Sequence, residues 1–505
     1  MSNQHHTQRQ LALNVFFMRF GHHPAAWRHP GVTATGRPDI HYWVEMAKLA
    51  EHAKFDTFFV ADFIGRSGEK LEQTSRMGGA FQFEPLTLLS AIAAHTRHIG
   101  LVATINTNFS EPYNIARQLA SLDHLSGGRA GWNVVSSYRE DTARNFGIEE
   151  LRGHGERYER AEEFVEVVKR YWDSWDDDAY DHPDRAAGLF FDPNSAHPQE
   201  HKGAYFAAEG LLDIARPLQG YPVLVQAGNS DTGREFAAKV GEMTYSSATS
   251  LEVAKAYYND VKSRMPKYGR DPDDIKIAPG LSVIVADSDD EAQAKFQSLQ
   301  DAVDFTQGLM GLDVSAYPLD GPLPDDIPIP ENGRGRVQQL IELGQREKLT
   351  IRQLILKFSV ARGHVQVIGS PKKVADLMEQ WFEERGADGF NVVPPLLPGG
   401  FEDFVRLVVP ELQRRGIFRR EYSGASFREN LGLKRPANPY TATDTATAAT
   451  AATAATAAAT APSAAAAATA PSAAATATAT SAAAAAATAT AAADGSQAHR
   501  RQRSA

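Results

Sequence analysis

The segment HIGLVATINTNFSEPYNIARQLASLDHLSGGRAGWNVVSS, residues 98–137, decides the fold because it reads as strand, helix and strand in succession. His98–Thr107 is a short run rich in Val, Ile and Thr without clean alternation, as expected of a strand covered on both faces of a parallel sheet. Asn114–Leu125 is amphipathic and runs into Gly127–Gly128, where a glycine helix cap is expected. Arg129–Ser137 then repeats the strand pattern.

The same alternation recurs on both sides. Leu11–Met18, Phe55–Asp62, Tyr221–Ala227, Met243–Ser247, Ile275–Ala286 and Gly389–Pro394 are further strand candidates. Val44–Lys54, Glu156–Tyr171 and Val374–Arg385 are helix candidates, the last with Gly386 as its expected cap. In Glu156–Tyr171, Tyr158, Ala161, Val165 and Val168 fall on one stripe. Eight strands alternating with helices predict an α/β fold, a (β/α)8 TIM barrel with insertions, with an open doubly wound sheet as the alternative. Trp172–Leu218 and Asp301–His364 exceed ordinary loops and read as lids or binding loops, neither with the apolar periodicity for a core of its own. The expected layout is a flexible start over residues 1–10, the barrel over 11–438, and an Ala/Thr-rich low-complexity tail over 439–505. That tail has nothing large and apolar to pack and is expected to be disordered.

Composition excludes several classes. The 505-residue chain has a net charge of −10, which argues against nucleic acid as a partner. It has no cysteine, so disulfides, thiolate metal sites and cysteine nucleophiles drop out together. The opening MSNQHHTQRQ lacks the apolar stretch of a secretory signal, and no apolar run reaches membrane-spanning length. A cytoplasmic enzyme is the expectation. His22, His23 and His29 lie in a Pro-containing loop without carboxylate companions at metal spacing, so no metal site is assigned, and a binding-loop role beside Trp27 is the better reading. There is no dinucleotide fingerprint, phosphate loop, HExxH or GxSxG.

Three places can carry chemistry. VLVQAGNSDTGREFAAKVGE, residues 223–242, joins a buried strand to a helix through Gly228 and Ser230, a geometry that favours an anion. The same pattern serves a plain turn in which Ser230 or Asp231 caps the helix. His154 and Tyr158 of HGERY share one side of a helix start, where both can donate hydrogen bonds or serve as cap and core. Asp62, Thr104 with Asn106, and Asn133 with Ser137 end successive strands, the place where barrel enzymes put their chemistry.

These residues also carry a resemblance. MRFGHHPAAWRHP (18–30), FDTFFVAD (55–62), FEPLTLLSAIAAHTRHIGL (83–101), HGERYERAEEF (154–164), AGNSDTGREFAA (227–238) and VIGSPKKVADLMEQWF (367–382) look like one family, in the same order along residues 11–438. The chain resembles the nitrilotriacetate monooxygenase component A family of the bacterial luciferase-like superfamily. The resemblance implies an enzyme that takes reduced FMN and dioxygen to oxygenate or oxidatively cleave a small organic substrate. NAD(P)H would be consumed only by a separate NAD(P)H:FMN oxidoreductase. A homodimer or homotetramer is implied as well. Carried over, Asp62 and Thr104 would lie near the flavin ring system, and His154, Tyr158 and Ser230 toward the ribityl chain and phosphate. Tyr138 receives no role, because relatives differ there. The rivals are an F420-dependent oxidoreductase of the same superfamily, a hydrolytic barrel pairing Asp62 with Glu84 or Glu111, and a non-catalytic flavin-binding barrel.

Overall fold

The computed structural model describes residues 9–32, 37, 39–62, 64–65, 75–76, 78, 82–137, 140–305, 314, 316–324, 327, 334–361 and 363–441. The Ala/Thr-rich stretch from residue 442 onward and Tyr138 lie outside them. Eight parallel strands close into a barrel in sequence order. They are β1 (Ala12–Phe17), β2 (Thr57–Val60), β3 (Gly100–Asn106), β4 (Ala130–Val135), β5 (Val223–Gln226), β6 (Met243–Ser246), β7 (Lys276–Val285) and β8 (Gly389–Val392). β8 pairs with both β7 and β1, which completes the ring. The eight strand candidates and the closed barrel are thus as expected. The connecting helices are α1 (Ile40–His52), α2 (Pro85–Ala93), α3 (Pro112–Ser126), α4 (His154–Trp172), α5 (Asp231–Val240), α6 (Leu251–Arg264), α7 (Asp289–Asp301) and α8 (Pro371–Glu383). None of the described helices is long and apolar enough to cross a membrane.

Alternation along each strand sorts side chains between two layers. Leu13, Val15 and Phe17, Leu101, Ala103 and Ile105, and Trp132 and Val134 join the apolar shell between sheet and helices. Their neighbours Ala12, Phe59, Val102, Val223, Val225, Met243, Tyr245 and Ala278 form a second, inner cluster with Phe427. Period-two alternation in a closed sheet gives this division, with one set inside the barrel and one outside. Lower in the interior, the Thr57 hydroxyl donates to Asn14 Oδ1 at 2.8 Å and lies 3.3 Å from the Tyr245 hydroxyl.

The N-terminal end of the barrel is plugged. A Cβ on Gly100 would stand 2.5 Å from the Phe427 ring, and one on Gly131 3.0 Å from it, so two glycines make room for the plug. Phe427 opens a one-turn helix with a capping box between Ser426 and Glu429. Next to it Arg428 pairs with Glu242 and donates to Tyr221 O at 2.9 Å. Asp56, fully buried, accepts from Leu13 N–H at 2.8 Å and pairs with Arg419 at 2.6 Å. Burial pushes its carboxyl up to about 6, against the opposing pull of Arg419.

Three expectations change. The glycine cap at Gly127 is present, with φ 71, but the left-handed residue after α8 is Arg385, φ 58, and not Gly386. Gly386 is needed for closeness, since a Cβ there would meet Leu251 Cδ1 at 2.7 Å. The insertion Trp172–Leu218 does not cover the barrel mouth. Its hairpin, Gln199–Lys202 with Ala207–Gly210, lies along α4, where Glu163 accepts from the backbone N–H groups of residues 204–206. Arg216 then ties it to Asp173 at 2.9 Å and to Pro436 O at 3.2 Å, beside the plugging segment. The insertion Asp301–His364 carries the core it was expected to lack: helices Arg334–Glu347 and Ile351–Ala361 bring Leu340, Ile341, Leu354 and Ile355 into a separate apolar cluster. It attaches to the loops that leave β1 and β2, through Arg28 donating to Ala302 O at 2.7 Å and Arg76 pairing with Asp304 at 3.1 Å. A ninth strand, Val365–Gly369, follows it and pairs with the outer half of β7, Leu281–Val285.

Candidate functional site

All eight strands point their C-terminal ends to one mouth, and the strongest constellation there is built where β5 turns into α5. Ser230 caps α5, its Oγ accepting from Gly233 N–H at 3.1 Å. The plain capping role is therefore real, and the hydroxyl proton is left to donate elsewhere. The first-turn N–H groups and the positive end of the helix dipole sit beside it. The turn is packed without slack. A Cβ on Gly228 would stand 2.8 Å from Gly233 Cα, and a Cβ on either glycine 3.0 Å from the Tyr158 hydroxyl. Asn229 Oδ1 accepts from Ser247 N–H at 3.1 Å, and the Gln226 side chain accepts from Gly228 N–H. From α6 the Tyr257 hydroxyl donates to Gly228 O at 3.2 Å and lies 2.9 Å from Thr244 Oγ1. Burial pushes Tyr257 up to about 12, so it stays a donor at neutral pH.

The first turn of α4 forms the facing wall. The His154 and Tyr158 rings lie 5.1 Å apart, and Tyr158 rests edge-on against Phe236 of α5 at 5.8 Å. Arg157, between them in sequence, donates to Arg152 O at 2.5 Å, while its buried Nε has no partner among the described residues. Burial pulls this guanidinium below its usual value. A glycine turn, a helix N-terminus, two hydroxyls and an imidazole converge here. Such a cradle suits a multiply charged oxyanion.

Thr104 and Asn133 face each other across β3 and β4, in register, with Asn133 Nδ2 donating to Thr104 Oγ1 at 3.0 Å. Asn106 Oδ1 accepts from Asn108 N–H at 2.8 Å and shapes the turn beyond β3. Asp62 stands two residues past β2, and its Oδ1 accepts from the N–H of Ile64, which has φ 22. Residues 63 and 66–74, which follow Asp62, lie outside the described residues. The structure thus brings His154, Tyr158 and Ser230 into one cradle, joins Thr104 to Asn133, and leaves Asp62 at the same end of the barrel.

Other candidates resolve differently. Glu84 caps α2, accepting from Leu86 N–H at 2.9 Å and Thr87 N–H at 2.7 Å, which commits both its oxygens. His22 Nε2 bonds Phe16 O at 3.0 Å, and His23 accepts from Ala25 N–H at 3.2 Å and bonds Gln300 at 3.3 Å. Trp27 donates to Arg76 O at 3.0 Å. This loop braces the mouth. Gln226, Tyr257 and Arg157 were missed by sequence reasoning. Tyr257 carried only the helical spacing of a core residue, whereas Arg157 stood inside the HGERY motif itself.

Known proteins align with this arrangement over nearly the whole described chain. The family described as luciferase-like monooxygenase matches residues 18–389. N-acetyl-S-(2-succino)cysteine monooxygenase from Bacillus subtilis strain 168 is 45% identical over 441 residues, 86% of this chain and 99% of that one. Nitrilotriacetate monooxygenase component A from Aminobacter aminovorans is 44% identical over 444 residues, covering 85% and 98%. A riboflavin lyase, solved with a modified FMN and riboflavin, superposes with a TM-score of 0.74 at 30% identity, covering 85% of this chain and 97% of that one. The barrel, its mouth and these full-length similarities lead to one conclusion: the chain belongs to the luciferase-like monooxygenase family.

Proposed function

We propose that the chain is the oxygenase of a two-component system, taking reduced FMN from a separate NAD(P)H:FMN oxidoreductase and using dioxygen to oxygenate or oxidatively cleave a small organic substrate. The observation that carries this reading is the cradle at Gly228–Ser230, whose helix-start N–H groups and hydroxyls fit a phosphate monoester. Ser230 and Tyr158 would donate to the phosphate, His154 would lie alongside, and Thr104 and Asp62 would meet the ring system. Reduced flavin supplies the electrons that activate dioxygen. The protein's part is to fix the cofactor and keep water from the reacting centre. Of the two insertions, Asp301–His364 would provide that exclusion, a reading supported by the contacts of Ala302 and Asp304 with Arg28 and Arg76 in the loops after β1 and β2. The Aminobacter relative is itself a component A, which supports a partner reductase. The pair would work in the cytoplasm, where NAD(P)H is supplied, and a homodimer or homotetramer is the proposed assembly.

The test combines the purified chain, FMN, a flavin reductase and NADH under ¹⁸O₂ with thioether, sulfone, alkane and aminopolycarboxylate substrates. Incorporation of one labelled oxygen, or oxidative cleavage that requires both proteins, is expected for one class. Turnover with reduced F420 in place of FMN would overturn the proposal.

A further inference from the structure

The turn from β5 into α5 is held from behind by side chains that leave its own backbone donors open. Gln226 accepts from Gly228 N–H, and Asn229 Oδ1 accepts from Ser247 N–H at 3.1 Å. On the far side the Tyr257 hydroxyl of α6 lies 3.2 Å from Gly228 O and 2.9 Å from Thr244 Oγ1. A carbonyl oxygen can only accept, so the single Tyr257 proton goes to Gly228 O. Thr244 must then be the donor in the second contact. Tyr257, Thr244 and Gln226 are all buried, and these bonds are made inside the protein. The N–H groups of Asn229 and Ser230, by contrast, have no acceptor among the described residues.

The Tyr257 bond decides which way the next N–H points. In a planar trans peptide the carbonyl of one residue and the N–H of the next are directed oppositely. α5 packs against α4 on one flank and α6 on the other. Drawing Gly228 O toward α6 therefore aims Asn229 N–H away from α6, to the flank where the Tyr158 hydroxyl borders Gly228. Glycine opposes rotation of this peptide least of all residues. A flipped peptide would set Gly228 O against an anion in place of Asn229 N–H, turning a donor into an acceptor. We infer that Tyr257 is a positioning residue that, by anchoring Gly228 O, keeps Asn229 N–H turned into the cradle as a donor to the phosphate. This rests on the flavin reading above and adds to it the residue that sets the polarity of the cradle. Tyr257 acts only through the Gly228–Asn229 peptide.

The test measures dissociation constants for reduced FMN and reduced riboflavin under anaerobic conditions, two ligands that differ only in the phosphate. Wild type is expected to prefer FMN by about a hundredfold, the size of charge-assisted hydrogen bonds to a phosphate. Tyr257→Phe is expected to lose about fivefold in FMN affinity with riboflavin affinity unchanged, so the preference shrinks by the same factor. Thr244→Val removes the other bond of the same hydroxyl and leaves Tyr257 able to donate to Gly228 O. It is expected to keep the wild-type preference, whatever it does to melting temperature. A Tyr257 that only fills the core gives a lower melting temperature in Tyr257→Phe with the preference intact, and that overturns the inference. An equal loss for both flavins also overturns it, because the effect would then bypass the phosphate. So does a loss of preference in Thr244→Val that matches that of Tyr257→Phe. Failure of the flavin reading looks different: wild type itself would then bind neither flavin, or both alike.

Discussion

The two ends of the barrel use polar side chains in opposite ways. At the N-terminal end the buried acids and bases are matched, Asp56 with Arg419 and Glu242 with Arg428, and Phe427 fills the lumen between them. N–H groups of Arg419, Arg428 and the Asn430 amide remain without partners among the described residues, but each guanidinium sits on a carboxylate. At the C-terminal end the groups left open include neutral amide oxygens, Asn133 Oδ1 and Asn108 Oδ1, and the Nε of Arg157. Both ends leave some hydrogen-bonding groups open, and what separates them is the ion pairs: buried charges are matched within the chain where the barrel is closed, whereas Arg157 at the open end has no carboxylate partner among the described residues. The comparison teaches that one end is organised for stability and the other for a ligand, as barrel enzymes generally divide the labour.

Four changes probe that division, in order of expected size. Phe427→Ala should lower unfolding free energy by about 4 kcal/mol, because it empties the lumen plug, while FMN affinity of the folded fraction stays unchanged. Denaturant unfolding and flavin titration together check this, and a loss of FMN affinity would break the comparison. Gly228→Ala should cost about 2 kcal/mol of stability through overpacking against Gly233 and Tyr158, yet weaken FMN more than tenfold. Equal stability loss with intact FMN binding would show the turn to be structural only.

Asp56 gives a smaller, pH-dependent effect at the closed end. Its folded-state value of about 6 lies above the ordinary carboxyl value of 3.8, so the native state holds a proton that the unfolded chain releases between those limits. The contribution of this site to stability therefore rises as pH falls through that window. Between pH 6.5 and pH 5, wild type should gain about 1 kcal/mol relative to Asp56→Asn in urea unfolding. A difference that is flat with pH would leave the carboxyl ionised throughout. Smallest in stability is Ser230→Gly, expected at a few tenths of a kcal/mol because glycine still tolerates the cap position. Its FMN affinity should nevertheless fall severalfold, which calorimetry can resolve from the stability term.

Much of the barrel was legible because its strands are short, apolar and bounded by turn residues, a local signal. The ninth strand, Val365–Gly369, was not, since its five residues gain meaning only from the protruding half of β7. The Phe427 plug was invisible for a similar reason: nothing in ASFREN distinguishes a lumen filler from a surface turn, and only Gly100 and Gly131, far upstream, make space for it. The core of the second insertion was hidden by the proline-rich stretch that separates its contributors. At the mouth, His154, Tyr158, Ser230, Thr104 and Asn133 could each be picked out as strand-end or helix-start polar groups. Their grouping depends on barrel register and on helix starts 76 residues apart, at His154 and Ser230, so pairing had to await the structure.

The plug also sets an order in time. Phe427 follows every strand it seals, and about 410 residues separate it from Phe17 at the end of β1. At typical synthesis rates, roughly 20 to 80 s pass between the two. Throughout that interval the barrel interior has no stopper, and Val102, Val223 and Met243 are left without the aromatic ring that completes their packing. A chain halted before Phe427 is therefore expected to bind apolar dyes and to be cut by protease faster than the full chain.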